Sequence, residues 1–182
     1  MLNLTLTQFD KAAESCSAIF FAKMKDYGTA WRILRLSSIT DQIFIKAQRI
    51  RSIEEKGNQK IAEGVASEYK GIVNYAVIGL IQLSMGLEGT LELPYDKAVS
   101  LYKIQIKAAK DLMEDKNHDY GEAWRKMRIS SLTDLILMKL LRIKQIEDNE
   151  GATVISEGID ANYYDIINYA VFALIRLEEN KN

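Results

Sequence analysis

Four side chains in the segment 157–168 carry oxygens of the kind that bind magnesium. They are Glu157, Asp160, Asp165 and Asn168. On a helix, Asp165 and Asn168 share one face, because residues three apart are neighbours there. Mg²⁺ prefers oxygen ligands, so we predict a metal site formed by Glu157, Asp160 and Asp165. The alternative is that acid and amide pairs at this spacing merely face water.

Three charged residues upstream have the chemistry of phosphate binding: Asp134, Lys139 and Arg142. They interrupt the segment 132–143, whose apolar residues cover almost every direction around a helix, which is typical of a helix buried on most sides. At about 100° per residue the three lie within one arc and can face a common cleft. There Lys139 and Arg142 would bind phosphate, and Asp134 would orient Lys139 or complete the metal shell. Alternatively, Asp134 serves the helix start and the two cations pair with neighbours.

These candidates belong to a sequence that occurs twice. The motif Asp-Tyr-Gly-Thr-Ala-Trp-Arg at 26–32 returns as Asp-Tyr-Gly-Glu-Ala-Trp-Arg at 119–125, 93 residues later, and a block at 63–77 returns at 157–171. Polar residues stay in register in the two copies: Thr40 and Thr133, Asp41 and Asp134, Lys46 and Lys139, Arg49 and Arg142, Glu54 and Glu147, Asn74 and Asn168. A core tolerates many volume-conserving substitutions, so packing alone would let such residues drift. We infer that a site or a buried polar network was duplicated.

The two copies differ chiefly in their acids. The differing pairs are Gly71 and Asp165, Ala66 and Asp160, and Glu68 and Asn162. If acids are needed for activity, the second copy is the active one and the first is degenerate or contributes in trans. Glu68 keeps open a composite site built from both copies.

The pattern predicts an all-α protein, because helix breakers are rare and Pro94 is the sole proline. We expect a tandem duplication of a three-helix unit that forms a pseudo-dimeric helical bundle. The predicted helices lie near 7–25, 38–55 and 66–84, and near 95–116, 131–148 and 160–178. The predicted domains are a first repeat at 1–84, a linker at 85–95 and a second repeat at 96–182. Gly28 and Gly121 suit the left-handed conformation that ends helices, and the hydroxyls of Ser38 and Ser131 suit the starts of the second helices.

Aromatic residues beside the Asp-Tyr-Gly turns are candidates for stacking on a base. Tyr120 and Trp124 join Lys46, Arg49 and Asn168 in the predicted nucleotide-binding set. Packing is the default alternative for the tryptophan.

Composition favours an ordinary soluble domain and excludes several classes. The chain has 182 residues, of which 48% are hydrophobic and 27% charged, with 24 Lys and Arg against 25 Asp and Glu. This balance gives no reason to expect binding to long nucleic acid or to a membrane. One cysteine, Cys16, and the lack of a secretory signal point to the cytoplasm. The sequence leaves open whether the chain forms a homo-oligomer.

Several of these motifs together resemble a known family. The stretch Lys-Asn-His-Asp-Tyr-Gly-Glu-Ala-Trp at 116–124, the charged residues of 134–142, and the segment 157–170 with Asp165-Ile-Ile-Asn168 resemble the nucleotide modification associated domain, first type, in its tandem bacterial form. The resemblance implies an association with nucleotide metabolism. A more distant similarity is to the all-α MazG-type nucleoside triphosphate pyrophosphohydrolases and dimeric dUTPases. Asp165 would match the last acid of their Glu-Glu-x-x-Asp motif, whose first two acids are here Ala161 and Asn162.

Two hypotheses follow for the function. The first is a Mg²⁺-dependent nucleotide-binding protein, with pyrophosphohydrolase activity as its catalytic form: Asp165 and Glu157 hold the metal that activates water, while Lys139 and Arg142 neutralise phosphate charge. The second is a non-catalytic helical interaction domain, whose repeated charged residues form a buried network that fixes how the two halves dock.

Overall fold

A computed structural model describes residues 2–56, 62–150 and 158–181, and these residues are helical without strands. The six α-helices are α1 Leu2–Tyr27, α2 Leu36–Lys56, α3 Ala62–Met85, α4 Tyr95–Tyr120, α5 Ile129–Asp148 and α6 Ile159–Glu179. Short 3-10 turns at Ala30–Ile33 and Ala123–Lys126 join the first helix of each repeat to the second. The predicted all-α tandem of three-helix units is therefore confirmed. The 3-10 turns were not predicted.

The first helix of each repeat ends at a glycine, as the sequence indicates. Gly28 has φ +59° and Gly121 has φ +60°, a left-handed conformation in which a Cβ is unfavourable. The Gly121 N–H donates to the Asn117 carbonyl at 2.9 Å, and the Gly28 N–H donates to the Met24 carbonyl at 2.8 Å. These bonds satisfy carbonyls that the helix end leaves without a partner.

The helices form three layers of two. α2 packs on α5, α3 packs on α6, and α1 packs on α4, with α3 and α6 in the middle layer. The contact of α2 with α3 corresponds to that of α5 with α6, and the contact of α1 with α6 corresponds to that of α4 with α3, so the molecule has the exchange symmetry of a dimer within one chain. The middle position explains why α6 is buried on nearly every side, including at Asp165 and Asn168.

A glycine on α3 allows the two middle helices to approach closely. A Cβ added at Gly79 would lie 2.9 Å from Cζ of Tyr163, a contact that would force the ring to move. The fully buried Tyr163 ring therefore packs directly against the backbone of α3. This close approach sets the position of the Tyr163 hydroxyl between the repeats.

The predicted hydroxyl cap of α5 is wrong. The helix begins at Ile129 after Arg128, and no side chain caps it. α2 likewise begins at Leu36, before Ser38. The neighbouring Thr40 and Thr133 instead form hydrogen bonds with the other repeat. None of the helices described is long and apolar enough to cross a lipid bilayer.

Candidate functional site

A hydrogen-bonded triad from three helices joins the two repeats. The Tyr69 hydroxyl on α3 lies 2.6 Å from Oγ1 of Thr133 on α5. Thr133 Oγ1 in turn donates to Oε1 of Glu54 on α2 at 2.8 Å. Tyr69 and Thr133 are fully buried, so each group needs this partner to offset the loss of water.

The same triad recurs with the repeats exchanged. The Tyr163 hydroxyl lies 2.8 Å from Thr40 Oγ1, which donates to Glu147 Oε1 at 2.9 Å. Each triad takes its tyrosine and glutamate from one repeat and its threonine from the other. Part of the duplicated polar sequence is thus a buried network that docks the repeats.

Burial makes the two glutamates of these triads unusual. Desolvation raises the pKa of Glu54, and the hydrogen bond from Thr133 only partly offsets this effect. Desolvation raises the pKa of Glu147 in the same way, against the hydrogen bond from Thr40. Docking the repeats therefore removes water from both carboxylates, which disfavours their charged form.

Ion pairs at the rim of the same interface hold the repeated aspartates. Arg51 Nη1 lies 3.5 Å from Asp134 Oδ1, and Lys144 Nζ lies 3.0 Å from Asp41 Oδ1. Both aspartates are more than half exposed. The structure thus places Asp134 beside a cation of the first repeat, which differs from its predicted role as a partner of Lys139.

The second repeat contains a buried carboxylate held by two lysines. Lys116 Nζ donates to Oδ1 of Asp165 at 2.6 Å, and Lys139 Nζ lies 2.9 Å from Oδ2. Asp165 is only 5% exposed. The sequence correctly brought Lys139 and Asp165 to one place, but Asp165 is there the anion that neutralises the lysines.

The described residues alone do not fit a magnesium ion at Asp165. Both carboxylate oxygens already face ammonium groups, and a second cation would have to displace them. Asp160 is exposed on the first turn of α6. Across the ranges that the structure describes, no three His, Cys, Asp or Glu side chains gather as a metal-ligand set. Glu157 lies outside the described residues, so the magnesium site stays a prediction.

The repeated asparagines tie helices together. Asn168 Nδ2 donates to the Ala109 carbonyl at 3.0 Å, and Asn74 Nδ2 donates to the Cys16 carbonyl at 3.1 Å. Each bond joins the third helix of a repeat to its first helix. This backbone contact accounts for the repetition of Asn168, which the sequence assigned to nucleotide binding.

The predicted aromatic and basic residues of the second repeat differ in how far they are buried. Trp124 is 6% exposed and stacks on Phe172 with ring centroids 4.2 Å apart, so it is a packing residue. Tyr120, in contrast, is 74% exposed at the end of α4. Arg142 is partly buried on α5.

The first repeat has a glycine where the second has Asp165. Lys46, the counterpart of Lys139, lies across this Gly71: a Cβ there would be 2.9 Å from Lys46 Cε and 3.2 Å from its Nζ. Lys46 Nζ is also 3.5 Å from Oε2 of the buried Glu68, whose Oε1 pairs with Arg49 at 2.7 Å. One carboxylate therefore serves two cations.

A cavity of about 470 Å³ opens beside Gly71. Its walls come from α1, the following turn, α2 and α3, and the described residues that line it include no carboxylate. The lysines of the lining are Lys23, Lys46 and Lys70, and its aromatic residues are Phe20, Tyr27, Trp31 and Tyr75. Lys46 Nζ lies 5.8 Å from the Tyr75 ring centroid. This volume is in the range of small-molecule sites.

The sequence does not indicate this cavity, because its walls come from α1, the turn after it, α2 and α3. Lys23 and Lys70 were not among the predicted residues. The repetition of Lys23 as Lys116 is visible in the sequence and was a usable signal. Lys70 is not repeated, because its counterpart is Tyr164, so the comparison of the two copies does not single it out.

Comparison with known families accounts for the duplication. Residues 23–83 and 116–177 each match the model of one family, described as Nucleotide modification associated domain 1. The two segments together cover more than half of the chain. The chain belongs to this family. No curated protein and no solved structure matches it significantly.

The two nucleotide modification associated domains begin at corresponding lysines, Lys23 and Lys116. Most of α1 and α4 therefore precedes the matched segments, although both helices contact the middle layer. The distant similarity to MazG-type enzymes gains no support from these matches and stays a prediction.

The two domains differ in charge at equivalent positions. Residues 23, 46, 70 and 71 of the first domain supply three lysines and a glycine. Residues 116, 139, 164 and 165 of the second supply two lysines, a tyrosine and an aspartate. The first domain therefore has three lysines at a cavity, one of which pairs with the neighbouring Glu68 at 3.5 Å, whereas the second has a carboxylate between its two lysines.

Proposed function

We propose that the first domain binds a nucleotide in the cavity beside Gly71. The observation that supports it is the lining, whose described residues join three lysines to four aromatic side chains and include no carboxylate. Lysine ammonium groups suit phosphate oxygens, and aromatic faces suit a base. Membership of a family associated with nucleotide modification agrees with this ligand class.

The positions of the side chains suggest how the ligand would lie. Lys46 is on the Gly71 side of the cavity, and its carboxylate partner Glu68 also pairs with Arg49. A phosphate here would meet an ammonium group whose charge is incompletely neutralised. Tyr27 at the end of α1 and Trp31 in the turn beyond it line the cavity and would contact the base.

Hydrolysis with Mg²⁺ at Asp165 in the second domain is the catalytic alternative to this proposal. It would require Asp165 to exchange at least one lysine for the metal, with Glu157 as a further ligand. Pyrophosphate release in the presence of Mg²⁺, abolished by Asp165→Asn in a folded protein, would support hydrolysis. Binding in the presence of EDTA without any release of pyrophosphate would support a binding domain.

The second candidate is a non-catalytic interaction domain, which the Tyr-Thr-Glu triads favour. They account for three of the repeated polar positions without any ligand. They do not account for the lysine-lined cavity. The two candidates are therefore separated by experiments on the cavity alone.

The test is isothermal titration of canonical nucleoside mono-, di- and triphosphates, with Mg²⁺ or with EDTA, into the whole chain. We expect one nucleotide per chain and a loss of about tenfold or more in affinity in Lys46→Met, because a charge-assisted hydrogen bond contributes roughly 1.5–3 kcal/mol. Lys139→Met is the matched control in the second domain, and it should bind as the wild type does. Binding by neither wild type nor control, or equal binding by Lys46→Met, would contradict the proposal.

A further inference from the structure

We infer that the Asp165 carboxylate occupies, in the second domain, the position that a ligand phosphate takes in the first. The inference rests on the proposed function and adds two points to it. These are the location of the bound phosphate and the internal carboxylate that closes the second domain to a ligand. The second domain would carry its anion within the chain, so that only the first is open to a ligand.

The second domain shows how an anion is held at this position. The carboxylate accepts from Lys116 on one oxygen, at 2.6 Å, and lies 2.9 Å from Lys139 Nζ on the other. The two lysines come from α4 and α5, and the aspartate comes from the middle helix between them. Any ligand anion arriving here would meet a negative charge at the place where it needs a positive one.

The first domain keeps the two lysines and lacks the aspartate. Lys23 on α1 corresponds to Lys116, Lys46 on α2 corresponds to Lys139, and both line the cavity. Gly71 supplies no side chain, and Lys46 Nζ lies 3.2 Å from the place where a Cβ would be. A phosphate on the cavity side of Gly71 would therefore lie between two ammonium groups, as the carboxylate does in the second domain.

The aromatic residues around Gly71 and Asp165 differ, and they decide whether a site can bind a base as well as a phosphate. In the second domain Trp124 is stacked on Phe172 and buried. In the first, Ile78 stands at the position of Phe172, and Trp31 remains on the cavity wall. Removing Asp165 should thus open an anion site without opening a platform for a base.

Filling the first position is the first arm of the test. Gly71→Asp should pair with the two lysines and lower the affinity for inorganic phosphate and for adenosine 5′-monophosphate by about tenfold or more. Gly71→Asn is the matched control, because it has nearly the same size and no charge, and it should retain affinity within about threefold. The atoms nearest to an added Cβ at this position belong to the flexible end of Lys46, which can move aside.

Emptying the second position is the reciprocal arm. Asp165→Gly should raise the number of inorganic phosphate ions bound per chain from one to two, while the number of bound adenosine 5′-monophosphate molecules with high affinity stays at one. Its melting temperature should also rise more with added phosphate than that of the wild type, as preferential binding to the folded state requires.

The outcomes distinguish this inference from the function on which it rests. Nucleotide binding that is equal in the wild type and a folded Gly71→Asp would overturn the inference and leave the nucleotide cavity standing. Failure of the wild type to bind nucleotide or phosphate would overturn the proposed function. In that case, phosphate binding by Asp165→Gly would still support the conclusion that the Asp165 carboxylate occupies an anion site. If Asp165→Gly bound no phosphate, this conclusion would be overturned too. If Gly71→Asp does not fold, the stoichiometry of Asp165→Gly decides.

Discussion

Lys46 of the first domain lies across a glycine, whereas its counterpart Lys139 lies 2.9 Å from the carboxylate of Asp165. The same two domains are nearly identical where they meet, since each gives the other a threonine between a tyrosine and a glutamate. The comparison teaches that the interface and the lysine cluster have changed independently. On the proposal made above, a duplicated domain that retains its docking residues can change its charged residues elsewhere, so that one copy is open to a ligand and the other is closed.

The largest effect on stability is expected where the domains are alike. Thr133→Val keeps the shape of the side chain but leaves the Tyr69 hydroxyl and the Glu54 carboxylate without their bridging partner. We expect a loss of about 1–3 kcal/mol in the free energy of unfolding, measured by urea denaturation. Thr40→Val should cost about the same. A clear difference between the two losses of free energy would show that the interface is not symmetric.

The lysine counterparts should differ in stability as they differ in structure. Lys139→Met removes one of two cations from a buried carboxylate and should cost roughly 1–2 kcal/mol. Lys46→Met removes a cation whose 3.5 Å pair shares its carboxylate with Arg49, and should cost less than about 0.5 kcal/mol. Equal costs in urea denaturation would contradict the comparison.

A third pair of variants should change stability in opposite directions. The Tyr102 hydroxyl donates to Asn74 Oδ1 at 2.7 Å. The corresponding Oδ1 of Asn168 is buried without a hydrogen-bond partner among the described residues, and Phe9 stands at the position of Tyr102. Tyr102→Phe should destabilise by about 1 kcal/mol, and Phe9→Tyr should stabilise by up to about 1 kcal/mol. Thermal unfolding of both variants measures the sign, and two changes of the same sign would contradict this explanation.

The smallest effect concerns pH. Because burial raises the pKa of Glu54 and Glu147 in the folded state, the folded state holds these protons when the unfolded state has released them. The resulting stabilisation is complete below the unfolded pKa of about 4.3 and is lost as the pH rises through the folded pKa. Glu54→Gln and Glu147→Gln should each flatten this decline in the free energy of unfolding, measured from pH 4 upward, whereas the exposed Glu14→Gln should not. A decline as steep as that of the wild type in both interface variants would rule out the two glutamates as its source.

The sequence predicts the helices and the docking of the repeats better than it predicts the site. Periodicity and the glycines at 28 and 121 indicate the helices and their ends because these depend on neighbouring residues. The contacts of the threonines cannot be predicted in this way because their partners are distant: Tyr69 reaches Thr133, which no spacing within a helix can indicate. The cavity was missed for the same reason, since α1, α2 and α3 each supply a wall.

The acids show the remaining limit of sequence reasoning. Asp165 and Gly71 were correctly identified as the informative difference between the copies. An aspartate on a helix gives no sign of whether a metal or a lysine faces it, so the metal role of Asp165 stays a prediction. The structure places Lys116 and Lys139 there, and Lys116 was noticed only as part of a motif.

The most direct test is a crystal structure of the chain with the nucleotide that binds best in the titrations. The account predicts density for one nucleotide per chain, with a phosphate between Lys23 and Lys46 beside Gly71, and an unchanged ion pair of Asp165 with its two lysines. A nucleotide bound at Asp165, with a metal ion in place of a lysine and the first cavity empty, would contradict the account.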